Sequence, residues 1–179
     1  MKINAIKKAC SDRGIFLVMD ASDGRQWMCN GCAFWPIDGI TVTKDAIPAL
    51  FDLNAKKQGE VVMDRREYND ERLRLEPMAE NEFPLKVMGH ILDSGTDYLA
   101  LMGENGLLLI DSDWLKPIPG DGTYRFFERW RKNSAPLVAV YADLFVGGLI
   151  SAYTGETVTK VQQALAEIVS ARPYSVGDE

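Results

Sequence analysis

Four turn signals cut the 179-residue chain into short apolar runs, and no other feature limits its fold as much. Ser22-Asp23-Gly24 follows the apolar run 15–19, and Asn30-Gly31 sits inside 26–37. Gly103-Glu104-Asn105-Gly106 separates 98–102 from 107–110, and Ala142-Asp143 parts 137–141 from 144–153. Asn-Gly and glycine-bounded turns between apolar runs are strong hairpin signals, so a chain punctuated this way builds antiparallel sheet. Residues 60–63 and 85–88 read as further short strands.

Helical spacing appears in fewer places. Ile3, Ile6 and Cys10 form an apolar stripe over 2–12, with Gly14 as the C-terminal cap. Thr43-Lys44-Asp45 leads into Ile47, Leu50 and Phe51, with Pro48 in the first turn, where proline is tolerated. Residues 124–132 read as a helix carrying four cations. Val158, Val161, Leu165 and Ile168 mark a terminal amphipathic helix that ends before Pro173. Between the halves, 64–82 alternates acid and base with few large apolar side chains, and reads as a solvated connection. The expectation is an α+β fold of antiparallel, hairpin-rich sheets with three to four short helices. Residues 1–179 are read as a single compact unit with two pseudo-halves, 1–75 and 83–172.

Composition narrows the class. Hydrophobic residues make up 46% and charged residues 26%, as in an ordinary globular protein. The formal net charge of −6 argues against a generalised nucleic-acid coat but not against a local basic face. Three cysteines and a charged start, Met1-Lys2-Ile3-Asn4-Ala5-Ile6-Lys7-Lys8, point to the reducing cytoplasm. The longest apolar run, 136–150, is broken by Asp143, Gly147 and Gly148, whereas a bilayer span needs about 20 apolar residues. No membrane partner is expected.

The densest stretch for chemistry is Trp27 to Pro36, in which Cys29 and Cys32 flank Asn30-Gly31. A redox pair needs a stabilised thiolate, and structural zinc needs four ligands, yet only Cys10 and His90 remain to complete a set. The favoured reading is a hairpin turn with the two cysteines facing each other across the ladder. His90 has no recognisable nucleophile motif to serve. Asp111 and Asp113 end an apolar strand and would suit a metal-dependent phosphoryl-transfer site, with a cap or loop as the default. No glycine run matches a phosphate-binding fingerprint. No catalytic residue, metal or cofactor is therefore assigned.

Two predicted helices are locally basic, which suits a phosphate backbone. Lys7 and Lys8 in the first, with Arg129, Arg131 and Lys132 in the second, are the nucleic-acid candidates. Phe34 and Trp35, within an aromatic strand, are the candidates for protein binding.

Two resemblances follow. The passage from Tyr98-Leu99-Ala100-Leu101-Met102 to Asp111-Ser112-Asp113-Trp114-Leu115, and the hairpin with Leu144-Phe145-Val146-Gly147-Gly148-Leu149-Ile150, resemble the rhythm of a DNA sliding clamp. This likeness implies two clamp-like halves, a homo-oligomer and DNA as partner. The segment Asn30-Gly31-Cys32-Ala33-Phe34-Trp35-Pro36 is similar to uncharacterised phage and prophage proteins of Gram-positive bacteria. The leading expectation is a non-enzymatic, phage-type accessory protein that acts by binding. A phosphoryl-transfer enzyme using Asp111 and Asp113 and a pure protein-interaction module are the alternatives.

Overall fold

Ile6 and Cys10 lie one helical turn apart, and both are fully buried, which fixes the inner face of helix α1 (Ile3–Arg13). Gly14 ends the helix at φ +65°, its N–H donating to the Ser11 carbonyl at 3.1 Å. The computed structural model describes residues 2–78, 80–120, 122–153, 158–161 and 163. Strands β1 (Ile15–Ala21), β2 (Gln26–Cys29) and β3 (Ala33–Ile37) follow as an antiparallel meander. A 3₁₀ turn (Lys44–Ala46), α2 (Ile47–Leu50) and α3 (Ala55–Glu60) then carry the chain over to β4 (Val62–Tyr68), which pairs parallel to β1. The strand expected over 60–63 therefore starts later and runs to Tyr68.

The second half holds β5 (Glu82–Asp93), β6 (Thr96–Gly103), β7 (Gly106–Asp111) and a 3₁₀ turn (Ser112–Leu115). Strands β8 (Arg125–Arg129), β9 (Leu137–Ala142) and β10 (Phe145–Ser151) complete it. All ten strands form one sheet in the order β4-β1-β2-β3-β10-β9-β8-β5-β6-β7. Strand β5 pairs with β8 through 82–85 and with β6 through 86–93. The register shifts between Val87 and Gly89, where Gly89 adopts φ +145°. A bulge of this kind bends a strand and lets it change partners. At the far edge, Tyr153 N–H donates to the Leu109 carbonyl at 2.8 Å, so the chain leaving β10 meets β7 and the last six strands curl toward closure.

The α+β class and the hairpin-rich sheet are as the sequence implies, with α1 to α3 and the helical residues 158–161 as the short helices. The remainder of the expected terminal helix lies outside the described residues. Two expectations are corrected. Residues 125–129 form a strand, not part of a helix, because they fill the ladder between β5 and β9, with Phe126 packed inward and Arg129 opposite Glu82. Residues 64–82 are not a solvated connection. Strand β4 uses the first part, and residues 69–78, here termed the strap, lie against the sheet with Leu73, Asp70 and Arg72 buried.

The middle of the sheet is buried on both faces. The inner layer joins Ile6, Phe16, Trp35, Leu101, Ile110 and Val140, drawing on both pseudo-halves. The outer layer joins Trp27, Cys29, Phe34, Tyr141 and Leu149 to Leu73 of the strap. At about 25 cal/mol per Å² of apolar surface, two buried layers rather than one give a mixed sheet this wide its stability.

Candidate functional site

The β9–β10 hairpin turns through Asp143 at φ +62° and presents Leu144 and Phe145, which are 75% and 61% exposed. Arg125 braces this tip, donating from Nη2 to the Asp143 carbonyl at 2.6 Å, while its guanidinium carbon lies 5.7 Å from the centre of the Tyr141 ring. Beside the tip is a cleft of about 240 Å³. Trp35 and Pro36 of β3, Pro117 and Pro119 after the second 3₁₀ turn, Leu75 of the strap and Phe145 form its walls. Among the described residues Asp38 is its one ionisable lining residue.

The cleft is set by close backbone packing beneath it. The β9–β10 register shifts between Val146 and Gly148, and Ile118 sits against that bulge. A Cβ on Gly147 would come within 2.5 Å of the Ile118 side chain, and one on Gly148 within 2.9 Å. Only glycine lets β10 approach so closely. Trp35 is held from below, its Nε1–H donating to the Trp114 carbonyl at 3.2 Å.

A second construction lies on the outer face. Arg129, fully buried, donates to the carbonyls of Arg72, Arg74 and Glu76 at 2.6, 2.7 and 2.8 Å. It also donates to Glu82 Oε1 at 3.0 Å and to the Tyr141 hydroxyl at 3.2 Å. Burial and the hydrogen bond to Glu82 push the Tyr141 phenol up to about 12. Arg72 pairs with buried Asp70 at 2.7 Å and donates to the Ala135 carbonyl at 2.7 Å. Burial alone would raise the Asp70 carboxyl, but its hydrogen bonds from Arg72 outweigh that and hold it below the usual range. In the outer layer, the Trp27 indole N–H is buried and meets no acceptor among the described residues.

The sequence-derived candidates scatter. Lys7 lies 3.7 Å from Asp52, Lys8 2.6 Å from Asp12 and Arg131 3.7 Å from Asp70. Lys132 is exposed in the segment after β8. The basic helix face proposed over 124–132 is absent, and Arg129 is the strap's internal clasp rather than a surface cation. Phe34 is 6% exposed and Trp35 1%, so neither is a free anchor, although Trp35 floors the cleft.

Asp111 caps the second 3₁₀ turn, its Oδ1 accepting from the Asp113 N–H at 2.9 Å, and burial pushes its carboxyl up. Asp113 pairs with Lys116 at 2.6 Å. Among the described residues no group of three His, Cys, Asp or Glu side chains could hold a metal ion. His90 Nδ1 lies 3.0 Å from Asp97, to which Ser112 donates at 2.8 Å. The carboxylate stands between imidazole and hydroxyl, so His90 does not reach the Ser112 hydroxyl as a base would.

The cysteine turn is shifted by one residue from the expected register. Asn30 N–H donates to the Ala33 carbonyl, which puts Gly31 and Cys32 at the centre of the turn, and Cys29 faces Phe34 across the ladder. The cause is Asn30, fully buried, whose Oδ1 accepts from the N–H groups of Cys32 and Ala33 at 3.0 and 2.8 Å. Burial pushes the Cys10 and Cys29 thiols up, Cys29 to about 12, so neither supplies a thiolate.

Comparison with protein-family models, with curated protein sequences and with solved structures finds no match. Among the described residues no helix is long and apolar enough to cross a membrane.

Proposed function

We propose that the protein acts by binding another protein through the cleft at the β9–β10 hairpin and performs no chemistry of its own. One observation carries this reading: Leu144 and Phe145, both largely exposed, adjoin an apolar cleft walled by Trp35 and three prolines. Hairpin tips ordinarily end in polar residues, and this one is braced rather than loose. Covering a large apolar side chain is worth roughly 1.5–3 kcal/mol, enough for Phe145 to serve as a central anchor. Asp38 on the cleft and the net charge of −6 favour a basic partner. The fitting occupant is a segment offering one large apolar side chain beside a lysine or arginine. This is consistent with an accessory protein of the kind the phage resemblance implies. Against chemistry, the Cys10 and Cys29 thiols, His90, Asp111 and Asp113 are each committed to burial or to a structural partner.

The test is selection of peptides from a display library on the wild-type protein, with Leu144→Asp/Phe145→Asp as the counter-target. Both side chains are exposed, so the variant should stay within about 0.5 kcal/mol of wild-type stability. Enrichment of apolar-basic peptides that ignore the variant supports the reading. Binders that hold both proteins equally, or no binders at all, overturn it.

A further inference from the structure

We infer that the strap, residues 69–78, is a lid that swings off the outer face of the sheet as a unit while the ten strands stay paired. The strap contributes nothing to the sheet's ladders. Leu73 N–H donates to the Asp70 carbonyl and Arg74 N–H to the Arg72 carbonyl, both inside the strap, and Met78 N–H goes to Glu82. Side-chain bonds join Arg72 to the Ala135 carbonyl at 2.7 Å and Arg25 to Glu76 at 2.8 Å, and the rest of its attachment runs through its own carbonyls. Three of them accept from the single guanidinium of Arg129, and the Leu75 carbonyl accepts from Val146 N–H at 3.3 Å. Lifting the strap therefore breaks no strand-to-strand bond.

The seam beneath it is unlike the inner core. Only Leu73 and Met78 of the strap are buried apolar residues, whereas Asp70, Arg72 and Arg129, with the Glu82 carboxylate beside Arg129, are buried charges along it. A seam of this composition resembles a polar interface between units, whose groups regain water when it opens. Trp27 adds a second sign, since its N–H meets no acceptor among the described residues in the layer that Leu73 covers, and would be hydrated on opening. Buried Arg129 is the latch. Because it grips main-chain carbonyls, its own share of the hold does not depend on the side chains of Arg72, Arg74 or Glu76. The lid borders the hairpin cleft, since Leu75 lines it and the Leu75 carbonyl accepts from Val146, a second lining residue.

Two reporters on the same molecule read the opening. Val146 N–H loses its acceptor when the strap leaves, and the Cys29 thiol belongs to the layer below. Cys10 belongs to the inner layer and serves as the internal control. Amide exchange and thiol alkylation, resolved by site, are measured on the full chain without denaturant and in low urea. Lid opening requires Val146 and Cys29 to react through an opening that urea barely affects, while Cys10 and the Val140 amide follow global unfolding. Arg129→Lys keeps the charge but cannot hold three carbonyls in a fork. It should speed Cys29 alkylation about tenfold or more, as loss of one charge-assisted hydrogen bond implies, with Cys10 unchanged. If Arg129→Lys does not fold, Leu73→Ala removes the apolar plug and gives the same selective acceleration. Equal rates for Cys29 and Cys10 in the wild type, tracking global unfolding, overturn the inference. So does a variant that accelerates both thiols alike. Leu144→Asp/Phe145→Asp, which disables the cleft, should leave these rates unchanged.

Discussion

Replacing Asn30 by alanine tests the turn on which the N-terminal meander depends. Asn30 is fully buried and makes three side-chain hydrogen bonds: it accepts from Cys32 and Ala33 and donates to the Ala9 carbonyl of α1 at 3.3 Å. The three do not weigh equally. Ala33 is fully buried, so its N–H would be stranded, at a cost of about 1–3 kcal/mol. Cys32 is only half-buried, so its N–H can turn to water. The Ala9 carbonyl lies in a helix turn and retains its place in the helical bonding. Adding the small void left by the amide gives a loss of about 2–3 kcal/mol. For a chain of this size that corresponds to a fall in midpoint of about 4–12 °C. Thermal and urea unfolding of Asn30→Ala give the value, with Asn30→Asp as a comparison that keeps the acceptors but buries a charge. A loss below about 0.5 kcal/mol would refute the reasoning, since it would mean that the turn closes without the side chain.

Three further outcomes follow from the same geometry. In the native protein at pH 8, Cys32 should alkylate first, with Cys10 and Cys29 lagging because burial raises their thiols; equal labelling of all three would contradict this. Acid should destabilise the fold. Hydrogen bonds from Arg65 to Asp20 and from Arg72 to Asp70 hold both carboxyls below their ordinary value of 3.8. A lowered folded pKa contributes stability that is present above the unfolded value and is lost as pH falls through the folded one. The urea midpoint should therefore drop between about pH 4 and pH 2, and a flat midpoint would refute the assignment. DNA retention should be absent at low salt, since Arg129 is buried and Lys7, Lys8 and Arg131 face carboxylates; salt-sensitive retention lost on Lys7→Glu/Lys8→Glu would restore the nucleic-acid reading.

Much of the strand plan was legible because hairpins are local. Asp23-Gly24, Gly103 to Gly106 and Asp143 mark turns through chemistry that needs no distant partner. Strand β8 was not legible, because Arg125 and Arg129 at helical spacing look like a solvated helix face. The contrary signal was Phe126-Phe127, two adjacent aromatics that place apolar surface on both faces of a strand. Phe34 and Trp35 also sit next to each other, so on a one-sided sheet one of them would be exposed. Both are buried because Leu73 and the strap cover the outer face, and a charged stretch with few large apolar residues gives no sign of that. Arg129 was missed for a related reason: nothing local distinguishes a buried arginine from a surface one when its partners are backbone carbonyls more than 50 residues away. The cleft was partly legible. An apolar run that continues through a hairpin turn, as at Leu144 and Phe145, is a signal that reading both residues simply as strand passes over.

The most direct measurement of the proposed function is a residue-resolved NMR titration with a peptide selected on the wild-type protein. Docking in the cleft predicts saturable shifts of the Trp35 indole N–H, Val146 and Gly147, with Lys8, Asp12 and Asp111 in the separate charged cleft unmoved. Shifts centred on that charged cleft, or on the apolar groove by Met88 and Met102, would contradict it.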